Sequence, residues 1–149
     1  MSFYNYMSAR RNVFTTYHGN LGLDDEYAYN SAVQVINGAT LDAKRDAGLR
    51  AELDFYHQYR YNYSLTLAED CGDSCDFSGR IGDRSVRFDV TTNTSFKRIS
   101  HFTKPSCVGS EYLLAVRPVG APSFQIAPVW NLGAETCPNG HMAIPMIVI

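Results

Sequence analysis

DFSGRIGDRSVRFDVT, residues 76–91, holds two runs of alternating side chains separated by Gly82-Asp83. In the second run Val86, Phe88 and Val90 interleave with Arg87, Asp89 and Thr91. A period of two marks a half-buried strand, and a Gly-Asp pair between two such runs is the signature of a two-residue hairpin. That loop fixes the register: Phe77 faces Phe88, and Asp76 faces Asp89. Phe77, Val86, Phe88 and Val90 then look toward the core, while Asp76, Asp89 and Thr91 share the opposite face. Two carboxylates placed so have Cβ atoms about 4.5–5.5 Å apart, and like charges directly opposite destabilise a sheet. A divalent cation bound by oxygen ligands, Mg²⁺ or Mn²⁺, relieves the repulsion. So does a wet hairpin face on which Arg80, Arg87 or Lys97 neutralises Asp89.

Upstream of the hairpin the pattern is helical. Residues 1–22 are mixed and polar and are left as an unassigned segment, with Gly19 and Gly22 marking a loop. Asp24, Asp25 and Glu26 open a helix that carries Ala28, Ala32, Val35 and Ile36 at helical spacing and stops at Gly38. Thr40 is the expected N-cap of a second helix, Leu41 to about Tyr59, with Ala47, Leu49, Leu53 and Tyr56 recurring every three or four residues. The period then becomes two, with Tyr61, Tyr63, Leu65 and Leu67 alternating with Asn62, Ser64, Thr66 and Ala68, which predicts a strand. Downstream, residues 95–103 are expected to form a short helix. Residues 111–117, 124–130 and 142–149 are expected strands. Helices first and strands after give an α+β or α/β order.

The same residues resemble the PD-(D/E)XK, or restriction-endonuclease-like, nuclease superfamily. Its pattern is a helix with a Glu, a hairpin with Asp at the start of one strand and (Asp/Glu)-x-Lys in the next, then a helix and a further strand. GLRAE ending at Glu52 looks like that helix, Asp76-Phe77 like the first Asp, and Asp89-Val90-Thr91 occupies the (Asp/Glu)-x-Lys position. The likeness spans about residues 40–117, and Thr91 stands where the lysine is expected. The resemblance implies an α/β fold with a restriction-endonuclease-like mixed sheet, made of N-terminal helices, a central hairpin, a short helix and further strands. It implies a metal-dependent nuclease that hydrolyses phosphodiester bonds, with DNA as the expected substrate. Asp76, Asp89 and the Val90 carbonyl would hold Mg²⁺ or Mn²⁺, Glu52 would position metal or water, and the metal would lower the pKa of a bound water. Lys97 would supply the missing cation, with Lys104 the weaker substitute. The alternatives are an inactive domain of this fold that binds nucleic acid or protein, with Thr91 recording loss of the lysine, and a tyrosine-rich structural oligomer subunit. A homodimer would reach both strands of a duplex.

Composition narrows these readings. The chain has 149 residues, 45% hydrophobic and 19% charged, with a net charge of −2, so it suits one globular domain and any nucleic-acid surface must be local. Arg84, Arg87, Lys97, Arg98 and Lys104 against Asp89 make such a local excess, able to track phosphates or to be an ordinary solvated face. The longest apolar run, MAIPMIVI at residues 142–149, is too short for a membrane span. The start of the chain lacks a secretory pattern, and four cysteines are too few for a disulfide scaffold, so a reducing cytoplasmic setting is expected. Cys71, Cys75, Cys137 and His141 have spacings used by structural Zn²⁺, while Cys107 is either a competing ligand or a core thiol. Free buried thiols are the other reading. No Gly-x-Ser-x-Gly, P-loop or dinucleotide glycine signature occurs. His18, His57 and His101 have no catalytic companions in sequence, and Tyr56, Tyr59, Tyr61 and Tyr63 suit packing better than base stacking.

Overall fold

Tyr6, Arg10, Val13, Phe14 and Tyr17 recur at steps of three and four and form the inward face of a first helix, α1 (Phe3–Gly19). Most of the segment 1–22 that the sequence leaves unassigned is therefore helix. Arg10, only 4% exposed, interrupts the apolar stripe and hides the period. In the computed structural model the described residues are 3–67, 76–92, 98–101, 112–117, 122–128, 135–136 and 142–145. They fall in two compact units, Met1–His57 and Gln58–Ile149.

The first unit is helical. In α2 (Asp25–Asn37) Asp24 is the N-cap, its carboxylate accepting the Tyr27 amide at 2.6 Å, and Ala28, Ala32 and Ile36 are buried. The third helix, α3 (Ala43–Tyr59), starts three residues after the expected Thr40 cap. Asp42 caps it instead, since its carboxylate takes the Arg45 amide at 2.9 Å and adds negative charge at the helix N-terminus. Tyr17 and Phe14 meet Tyr56 edge to face at 5.5 and 5.4 Å, and Tyr17 Oη shares a 2.7 Å hydrogen bond with His57 Nδ1. Tyr29 packs over His57 at 4.7 Å and donates its hydroxyl to Asp54.

Past α3 the expected strand over 61–68 is mostly absent. Residues 60–64 continue as helical turns, and only Thr66–Leu67 pair as β1. The Tyr63 amide donates to the Tyr59 carbonyl and the Leu65 amide reaches back to Arg60, both at 3.0 Å, while Ser64 takes φ 48°. This is a Schellman ending with Ser64 in the left-handed position usually given to glycine. Tyr59 and Tyr63 lie one turn apart and stack at 5.7 Å, so a helical pair imitates alternation in the sequence.

The hairpin forms as expected, from β2 (Phe77–Ile81) and β3 (Arg84–Thr91), with Phe77 opposite Phe88 and Ile81 opposite Arg84. Gly82 has φ 60° and Asp83 is not left-handed, the pattern of a type II′ turn with glycine in its first central position. Strand β5 (Tyr112–Val116) lies parallel to β3, and β6 (Gln125–Pro128) runs antiparallel to β5. The result is an open, mixed five-stranded sheet in the order β1-β2-β3-β5-β6. A separate three-stranded sheet holds β4 (Arg98–His101), β8 (Met142–Pro145) and β7 (Glu135–Thr136), in that order. The short helix expected at 95–103 is thus corrected at Arg98–His101, which pair with Met142–Pro145, Ile99 opposite Ile144. The rest of that segment lies outside the described residues. The architecture is mixed α/β, and no described helix is long and apolar enough to cross a membrane.

One face of the sheet is core. Phe77, Val86, Phe88, Leu113 and Ala115 are buried there with Leu65, and Tyr63 lies against Phe88 at 5.2 Å between ring centres. Burial, and then the neighbouring Tyr59, push the Tyr63 phenol above its ordinary value. Gly79 is set by close approach: a Cβ there would stand 2.6 Å from the Tyr63 carbonyl oxygen and 3.1 Å from both Leu65 and Phe88. That carbonyl accepts the Arg80 amide at 2.6 Å, so it cannot retreat without losing the bond. Gly79→Ala is expected to destabilise the protein by about 1–3 kcal/mol through overpacking. Ser64→Gly, which relieves a left-handed backbone, is expected to stabilise it by about 1 kcal/mol. Urea melts of both variants beside the wild type check the two signs.

Candidate functional site

Alternation along β3 sends Arg87, Asp89 and Thr91 to the face opposite Val86 and Phe88. In the parallel ladder Asp89 pairs with Leu114 and Thr91 with Val116, and the Arg117 amide donates to the Thr91 carbonyl at 3.1 Å. Leu114 is 1% exposed and Asp89 is half-buried, whereas Ser85 and Arg87 are exposed. This face therefore passes from covered at β5 to open at the hairpin.

Asp76 departs from the plain register. The ladder ends at Phe77–Phe88, yet the Asp76 amide also donates to the Phe88 carbonyl, at 2.9 Å. Two consecutive residues thus address one residue of β3, the offset of a bulge. Its carboxylate then reaches across, and Oδ2 accepts the Val90 amide at 2.8 Å. That amide belongs to the peptide joining Asp89 to Val90, so the Asp76 carboxylate sits beside the Asp89 backbone. A direct Asp76–Asp89 pairing would oppose like charges; the offset supplies an amide donor instead.

Glu52 occupies a different environment. It is 4% exposed on α3, where it accepts the Tyr6 hydroxyl at 3.0 Å and Arg10 Nε at 3.3 Å. Arg10 is buried to the same degree, so this is an interior ion pair tying α1 to α3. The basic residues also separate. Arg87 lies opposite Ser78 on the Asp89 face, Arg84 points to the other side, and the backbone of Arg98 belongs to the second sheet. Lys97, Lys104, Cys71, Cys75, Cys107, Cys137 and His141 lie outside the described residues. Among the described residues no group of three or more His, Cys, Asp and Glu side chains comes together as a metal ligand set.

Sequence reading named Arg80 only as a neutraliser of Asp89 and passed over Ser78; both lie on β2 and share the Asp89 face with Ser85 and Arg87. The signal was present: Phe77 and Gly79 alternate with Ser78 and Arg80, just as Val86 and Phe88 alternate with Arg87 and Asp89. Of the tyrosines, Tyr56 is buried, Tyr63 packs on Phe88, and Tyr61 is exposed beneath the Arg60 guanidinium, 4.5 Å from its ring centre.

No family model, curated protein or solved structure matches this chain.

Glu52→Ala strands the buried Arg10 charge and is expected to cost about 3–5 kcal/mol. The paired replacement Arg10→Met with Glu52→Leu, which leaves no buried charge, is expected to recover most of that loss. Denaturant unfolding followed by helical circular dichroism tests both.

Proposed function

We propose that the chain is a metal-dependent nuclease whose reaction centre is built on the splayed end of the β2–β3 hairpin. The observation that carries this reading is the Asp76 carboxylate fastened to the Val90 amide at 2.8 Å, beside Asp89 on the next peptide. A carboxylate has about four acceptor sites, so an oxygen that takes one amide retains capacity for a cation. Two carboxylates and a nearby backbone carbonyl are hard oxygen donors, the set that suits Mg²⁺ or Mn²⁺. Asp76, Asp89 and the Val90 carbonyl would hold the ion, which when bound supplies Lewis acidity and a more acidic water. The chain's own part is positional. The bulge and the Val90 amide fix the Asp76 carboxylate, and the parallel ladder through Leu114 fixes Asp89.

The element order supports the same reading: helix, antiparallel β1–β2–β3, then β5 returning parallel to β3. The resemblance to PD-(D/E)XK nucleases implies this helix, hairpin and parallel strand, with the acidic residues on the central hairpin, but it also implies a helix after the hairpin where Arg98–His101 form a strand. Glu52 is assigned to the interior of the helical unit, and the reaction centre rests on Asp76 and Asp89. Thr91 favours a second reading, a domain of this fold that binds nucleic acid without cutting it, because a neutral hydroxyl does not replace the charge of a lysine.

Cleavage of plasmid and of single-stranded oligonucleotide is expected with Mn²⁺ or Mg²⁺ and not with EDTA. Asp89→Asn and Asp76→Asn are expected to lower the rate at least about 100-fold. Asp76→Asn retains an oxygen for the Val90 amide, so unchanged thermal unfolding would locate its effect in chemistry. Equal cutting by wild type and both variants would overturn the nuclease reading. Oligonucleotide binding without cutting under any metal would establish the second.

A further inference from the structure

Beside Asp89 the open face of β1, β2 and β3 forms a shallow groove of about 470 Å³, lined chiefly by Ser64, Thr66, Ser78, Arg80, Ser85 and Arg87. The register explains why these residues meet. Thr66 is opposite Ser78, Ser78 is opposite Arg87, and Arg80 is opposite Ser85, so five hydroxyl or guanidinium positions tile two adjacent cross-strand rows. The apolar partners of the same strands, Phe77, Val86 and Phe88, are turned to the core, with Gly79 pressed beneath the Tyr63 carbonyl. We propose that this groove binds phosphate groups and seats the backbone of a nucleic-acid strand so that it runs on to Asp76 and Asp89.

Three observations carry it. Among the described residues the lining holds two guanidinium groups and four hydroxyls and no carboxylate, a surface rich in donors that suits an oxyanion. Arg80 and Arg87 lie on a diagonal of the hairpin, about 7–8 Å apart at the backbone, a spacing at which both guanidinium groups can reach one phosphate. Arg80, Ser78 and Ser85 make no side-chain hydrogen bond or ion pair with another described residue, so donors on this face stay available to a ligand. The groove also points somewhere. Asp89 follows Arg87 on the same face, about 7 Å along the strand, so a chain of phosphates held at Arg80 and Arg87 leads to the acidic pair. With a net charge of −2 for the whole chain, this is a local feature of the surface.

Phosphate recognition stands on the groove alone, while the nucleic-acid strand as its source rests on the nuclease reading. Binding of a fluorescent single-stranded 20-mer, measured by anisotropy in EDTA over a series of salt concentrations, separates the two because it needs no metal and no cleavage. Arg80→Ala and Arg87→Ala are each expected to weaken binding about tenfold. Each should also flatten the plot of log affinity against log salt by about 0.7, one phosphate contact. Arg11→Ala, an exposed cation of the helical unit, is expected to change neither. Asp89→Asn is expected to bind at least as tightly as wild type, even where it has lost cleavage. The proposal is overturned if the 20-mer does not bind, if the Arg80→Ala, Arg87→Ala double variant binds like wild type, or if Arg11→Ala weakens binding equally. Competition by inorganic phosphate as effective as by unlabelled 20-mer, per phosphate, would overturn the nucleic-acid source and leave a free-anion site.

Discussion

The Tyr63 carbonyl is the pivot of the sheet unit. It accepts the Arg80 amide at 2.6 Å while Gly79 slides beneath it, so the hairpin is pinned to the turn that ends α3. Because Gly79 has no side chain, Phe88 and Leu65 close over the same spot and Tyr63 covers Phe88. The consequence reaches the opposite face: once Gly79 is held inward, alternation obliges Ser78 and Arg80 to look outward with Arg87 and Asp89. One backbone contact thus orders the core on one side and the polar array on the other.

The two units handle their acids differently: Glu52 is buried and Asp76 is half-buried. Glu52 meets a guanidinium and a phenol, a full opposite charge with added hydrogen bonding. Asp76 meets the Val90 amide, a neutral donor that orients the carboxylate. Interior ion pairs of the first kind hold helices in register, and their partners are consumed by the fold. The Val90 amide gives the Asp76 carboxylate a direction and brings no charge of its own, which is why the proposed reaction centre lies at the hairpin end and not on α3.

Much of the hairpin was legible because period two, a Gly-Asp turn and the aromatic pair Phe77–Phe88 all agree, and local agreement of that kind leaves one register. Helix α2 was legible for the same reason, through Asp24 at one end and Gly38 at the other. Helix α1 was not, because its inward stripe contains Arg10, whose charge only makes sense once Glu52 is known to face it. The tyrosines past α3 misled in the other direction. Tyr59 and Tyr63 are helical neighbours, but Tyr61 between them supplies a false alternation, and only the left-handed Ser64 shows where the helix ends. At the candidate site the nearness of Asp76 to the Asp89 end of β3 was readable and the bulge was not, since a one-residue offset leaves no trace in composition.

Among the described residues the outer members of the five-stranded sheet are β1, two residues long, and β6, four residues ending in Pro128, which has no amide hydrogen. Short or proline-stopped borders give a neighbouring polypeptide little to zip onto, so the sheet is discouraged from growing sideways into fibrous aggregates.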